Sequence, residues 1–225
     1  MIEVIVVAEG QTEETFVRDV LAPVFGAREI FLHARPIATS RRGRGGALSR
    51  DRVLSFLRKT LRERADTYVT TLFDLYGLRR DFPGVATAPT TDPIARCVAI
   101  EAAFTNVVAA DSGCRPDRFL AHVQPYEFEA LLFSDVSRFG EVQSGWTRFE
   151  SELQQARDAA PSPEHINDGP QTHPSARMEQ LRDPSYDKPL HGSRLAERIG
   201  IARIRRECVH FDSWLARLET LTSLL

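Results

Sequence analysis

The run "IEVIVVA", Ile2 to Ala8, constrains this chain more than any other stretch. It is apolar throughout except for Glu3, and most of its residues are β-branched. Such side chains are stiff at χ1 and fit a pleated surface. A strand of this kind has no face to offer to water. It must be covered on both sides, which is the situation of a parallel sheet flanked by helices.

The rest of the chain supplies those helices. Phe16, Val17, Val20, Leu21 and Val24 repeat with a helical period within Glu13 to Phe25. A second strand is predicted near Ile30 to Ile37. Ser49 is placed to cap a helix whose stripe is Val53, Phe56, Leu57 and Leu61. "YVTTLFDLYG", Tyr68 to Gly77, reads as a third strand and its exit. A loop rich in proline and threonine follows, then a helix over Pro93 to Ala110 with proline in its first turn. Arg118 to Phe133 reads as a strand ending near Gln124 and a helix beginning at about Tyr126. The alternation predicts an α/β fold with a mostly parallel four-stranded sheet flanked by helices. Beyond about Ser134 the strands stop, and helical segments alternate with polar loops. Residues 1–135 are expected to form the α/β domain, and residues 136–225 a helical C-terminal extension packed on it.

Composition narrows the function. The 225 residues carry a formal net charge of -2, so any contact with nucleic acid must rest on a local patch. No apolar run is expected to reach the roughly 20 residues that span a bilayer, and the acidic N-terminus does not read as a signal peptide. Cys97, Cys114 and Cys208 have neither disulfide nor metal-knuckle spacing and suit reduced thiols in the cytoplasm. Neither a Walker A motif nor a GxSxG elbow is present.

In an open α/β sheet, ligands bind beyond the carboxyl ends of the strands. Glu9 ends the first predicted strand and Asp74 the third. Glu127 and Glu129 follow the fourth, and Glu13 and Glu14 open the first helix. Acids in a first helical turn also favour the helix dipole, by about 0.3–1 kcal/mol each, and need no other role. Glu9 and Asp74 are different, because an unpaired carboxylate at the mouth of a buried strand is costly. Together the acids read as a site for a hard divalent cation, Mg²⁺ or Mn²⁺. Gly10 would let a phosphate approach the main chain.

"VVAEGQTEETFVRDVLAP", "TLFDLYGL" and "PYEFEALLF" resemble, in that order, the Toprim fold as found in the OLD-family (overcoming-lysogenization-defect) nucleases. With "FDLYGLRRDFPG" and "YDKPLHG", the chain looks closest to an uncharacterised family of bacterial Toprim-like proteins. The resemblance maps the first Toprim glutamate onto Glu9, the second of the EGxxE pair onto Glu13, and the first acid of DxD onto Asp74. Tyr76 stands where the second DxD acid is expected, and Glu129 or Glu127 is the candidate to replace it. What the resemblance implies is Mg²⁺- or Mn²⁺-dependent cleavage of DNA or RNA, in phage defence, beside an ABC- or SMC-like ATPase partner. The alternative is a non-catalytic module with a degenerate site that binds nucleic acid or a partner.

Arg41, Arg42 and Arg44 lie in a glycine-rich loop that reads either as a clamp on nucleic-acid phosphates or as a solvated surface. Arg79 and Arg80, close behind Asp74, face the same two readings. Lys188 and His191 read either as contacts for a phosphoryl oxygen and a proton or as parts of a turn. His33, His122, His165, His173 and His210 have no metal-ligand spacing and read as packing or surface residues.

Overall fold

Strand β1 (Ile2–Ala8) is buried on both faces: Val4 and Val6 belong to one apolar layer, Ile5 and Val7 to the other. The structure, a computed structural model, describes residues 1–37, 48–166 and 169–224. Strands β2 (Ile30–Pro36) and β3 (Thr67–Asp74) flank β1, both parallel to it. The sheet among the described residues has five strands in the order β2-β1-β3-β4, with β5 also pairing β3. The chain is therefore α/β, as expected, but the predicted fourth strand is two short pieces. These are β4 (Phe119–Leu120) and β5 (Val123–Gln124), each parallel to β3. Between them the Thr71 hydroxyl donates to the His122 carbonyl and accepts from the His122 N–H, both at 2.9 Å. A side chain thus replaces ladder bonds where the strand is interrupted.

Helices α1 (Gln11–Phe16) and α2 (Ala22–Gly26) are joined by a π-helical turn, Val17–Leu21. The widening falls just before Pro23, which has no N–H to continue the α pattern. Helices α3 (Arg50–Glu63) and α4 (Pro93–Ser112) cover the opposite face. Ser49 occupies the N-cap of α3 but makes no capping hydrogen bond. Asp92 does cap α4, accepting from the Ala95 N–H at 2.6 Å. Contrary to the sequence expectation, α4 is long and apolar enough, by length and composition, to cross a membrane. Its Cys97, Ile100, Phe104 and Val108 are instead buried in the layer against the sheet.

The α-helix expected from Tyr126 is a 3₁₀ segment, Phe128–Ser134. All seven of its residues are buried, so it lacks the polar face of an amphipathic helix. Beyond it come α5 (Phe139–Val142), α6 (Glu150–Asp158), α7 (Pro174–Met178), α8 (Lys188–Ile199), α9 (Ile201–Glu207) and α10 (Val209–Glu219). They share a core with the sheet. The Phe16 ring meets Phe128 edge-on at 5.0 Å and Phe211 at 6.1 Å. The Trp214 indole donates to the Thr70 hydroxyl at 2.8 Å. Helix α8 lies against α1 at Gly192, where an added Cβ would stand 3.1 Å from both Phe128 and Thr12. That close approach delivers the N-terminus of α8 to the edge of the sheet.

Candidate active site

With β2 on one side of β1 and β3 on the other, the strand order reverses between β1 and β3. Such a switch point opens a crevice beyond the strands' carboxyl ends. Glu9 leaves β1 at that point and Asp74 is the last residue of β3. A main-chain donor fixes one oxygen of each acid here. The Asp74 N–H donates to Glu9 Oε2 at 3.3 Å, and the Phe128 N–H donates to Asp74 Oδ1 at 2.9 Å. The Gly10 N–H donates to Glu13 Oε2 at 2.9 Å, so Glu13 also closes the first turn of α1. The register Asp74 to Gln124 sets β5 beside Asp74, and the turn after it supplies Phe128.

The two acids of "EFEALLF" part company. Glu127 accepts from the Ser175 N–H (2.8 Å) and hydroxyl (3.0 Å), and His173 Nδ1 stands 3.3 Å away. It ties this turn to α7. Glu129, with no exposed surface, receives the Lys188 ammonium at 2.9 Å and the Tyr186 hydroxyl at 3.3 Å.

The electrostatics join these groups into one cluster. Burial, then the Glu13 charge, pushes Glu9 up to about 7. Burial followed by Glu13 and Glu9 holds Asp74 well above the ordinary aspartate value. Glu13 and Glu129 are also raised, first by burial; Glu129 adds to the shift of Glu13, and Glu127 to that of Glu129. Burial alone would lower Lys188, but Glu129, Asp74 and Glu127 together hold it above the usual lysine value. Lys188 thus touches Glu129 and is felt by the other four carboxylates through space. Like charges in such a place stay ionised together only when a cation offsets them.

The other candidates fall differently. His191, on the same helix as Lys188, accepts the Asp187 N–H through Nδ1 at 2.9 Å and packs edge-on against Trp146. It serves the start of α8. Arg79 and Arg80 are exposed, with Arg79 3.6 Å from the Asp81 carboxylate. Arg41, Arg42 and Arg44 lie outside the described residues. Tyr76 is 54% exposed and stacks on the His173 ring.

A second group escaped the sequence reading. Glu101, His122 and His210 are buried, and their ligand atoms lie within 4.8 Å of one another, so they could hold a metal ion. They form a hydrogen-bonded knot. Glu101 Oε1 accepts from the Val123 N–H (2.8 Å) and His210 Nε2 (2.9 Å), with His122 Nδ1 at 3.4 Å. Burial would raise Glu101, but the two histidines outweigh it and hold Glu101 at about 2. Burial pushes His122 down to about 4, whereas the bond to Glu101 overcomes burial at His210 and raises it. Three elements far apart in the chain contribute, so no local spacing could mark the group.

The family model for a domain of unknown function, DUF4276, matches residues 8–219. The chain belongs to this family. No curated protein and no solved structure matches it. The DUF4276 span runs from the end of β1 to the end of α10. It therefore contains every acid of the cluster, Lys188, and the Glu101, His122 and His210 group.

Proposed function

We propose that this DUF4276 protein is a Mg²⁺- or Mn²⁺-dependent nuclease that hydrolyses phosphodiester bonds of DNA or RNA. One observation carries the reading. Glu9 with Glu13, Asp74 and Glu129 come from three separated segments to the switch point of the sheet, where Glu129 takes the Lys188 ammonium at 2.9 Å. Glu9, Glu13, Asp74 and Glu129 would hold the ion, with Glu127 bracing the turn that presents Glu129. A divalent cation in such a site supplies Lewis acidity and activates water at neutral pH. Lys188 keeps its positive charge in an ion pair with Glu129, and in this reading it would offset charge on a phosphoryl oxygen. Glu13 and Glu129 are buried and Glu9 and Asp74 half-buried, which strengthens each of these interactions relative to open water. The Toprim-like resemblance points the same way. The cytoplasmic setting and the ATPase partner rest on the sequence reading alone.

Tyr76 favours a second reading, a binding module without turnover, because it occupies the place of an expected acid. Cleavage assays on labelled single- and double-stranded DNA and RNA, with and without Mn²⁺, separate the two. Cleavage that disappears in Glu9→Gln and Asp74→Asn supports the nuclease. Absence of both cleavage and millimolar Mn²⁺ binding sinks it.

A further inference from the structure

Tyr76 is a large aromatic residue left more than half exposed, at 54%, two positions beyond Asp74. Its place is nonetheless fixed. The Tyr76 N–H donates to the Tyr126 carbonyl at 3.0 Å. Gly77, the next residue, presses against Glu9 so closely that a Cβ would stand 2.8 Å from Oε1. The Tyr76 ring stacks on His173, centroids 5.3 Å apart and planes 19° from parallel. His173 is itself anchored, with Nδ1 3.3 Å from Glu127 and 3.0 Å from the Ser175 hydroxyl. The turn that carries Tyr76 thus touches the acid cluster through Gly77, and its stacking partner touches it through Glu127. One side of the tyrosine is backed by a held imidazole, while the residue as a whole stays open to solvent.

We infer that Tyr76, backed by His173, is a stacking platform for a nucleobase of a single-stranded segment bound at the acid cluster. The inference rests on the phosphodiester reading and names its substrate class. Base stacking on an aromatic side chain tolerates any sequence, because every base has a π face. Pinning the ring before binding removes most of the ordering cost. Arg79 and Arg80, exposed three and four residues further on, give the strand's phosphates a positive neighbour.

The test measures binding of a short oligothymidylate, and of the same strand made abasic throughout, by fluorescence anisotropy with Ca²⁺ in place of Mn²⁺ so that the strand is not cleaved. Calorimetric Mn²⁺ titration runs in parallel on wild type, Tyr76→Phe and Tyr76→Ala. The expected result is about tenfold weaker binding of the strand in Tyr76→Ala. Tyr76→Phe should stay within about twofold of wild type, since it keeps the ring. Wild type should bind the abasic strand as weakly as Tyr76→Ala binds the intact one. Equal binding of intact and abasic strands, with Mn²⁺ still bound, overturns the platform and leaves the metal reading standing. Base-dependent binding through Tyr76 without any Mn²⁺ binding supports the platform and overturns the metal reading. No strand binding at all overturns the platform, whatever the Mn²⁺ titration shows.

Discussion

A Cβ built on Gly77 would stand 2.8 Å from Oε1 and 3.0 Å from Oε2 of Glu9. The obstacle is the end of a flexible side chain, so it can give way. Gly77→Ala should therefore move the Glu9 carboxylate with little effect on the fold. Mn²⁺ affinity measured by calorimetry is expected to fall about tenfold or more, as when a supporting contact to a ligand is lost. The melting temperature should shift by less than about 4 °C. Unchanged affinity would show that Glu9 does not hold the ion.

Lys188 and Glu129 form a pair with one fully buried partner. Lys188→Met leaves Glu129 without its cation and should cost about 3 kcal/mol in denaturant unfolding. That is the lower end for a buried pair, because the lysine keeps part of its side chain in water. Adding Glu129→Gln to Lys188→Met should recover much of the loss. A double variant no more stable than the single one would mean that the ammonium acts elsewhere.

The Glu9 value of about 7 sets a pH dependence. Its folded value lies above its ordinary one of 4.5, so the folded state holds this proton more tightly than the unfolded chain. The stability this confers is complete below about 4.5 and falls away as pH rises through 7. The span corresponds to an order of 3 kcal/mol. Unfolding free energies from pH 4.5 to 8 should show this slope in wild type and lose it in Glu9→Gln. Mn²⁺ must displace the same proton, so it should raise the melting temperature more at pH 8 than at pH 6.

His122 has the opposite sign. Its folded value of about 4 lies below the ordinary 6.5, so the folded state resists protonation. Stability from this residue is present above about 6.5 and is lost as pH falls toward 4, again by an order of 3 kcal/mol. His122→Phe keeps a ring to stack on Trp214, which lies 4.4 Å away and nearly parallel. The variant-minus-wild-type difference in unfolding free energy should become more favourable to the variant across that acid window. A flat difference would mean that His122 is already charged in the folded protein.

The sequence by itself determined which strands run through the core and where their acids emerge. The unbroken apolar run before Glu9 and the run before Asp74 each demanded cover on both faces, and β1 and β3 are buried so. That much is local, because periodicity and β-branching act within a few residues. The break in the fourth strand and the 3₁₀ form of the segment after it are not legible in the sequence, because Thr71 repairs the ladder from a neighbouring strand and Phe128 to Ser134 is buried on every side. Only the tertiary structure decided that Glu129 takes Lys188 while Glu127 takes Ser175, and that His191 holds the start of α8 against Trp146. It alone brought Glu101, His122 and His210 together and set Tyr76 against His173. These partners lie tens of residues apart in the chain, and what joins them is the packing of α8, α10 and α7 onto the sheet, which no periodic pattern along one segment encodes.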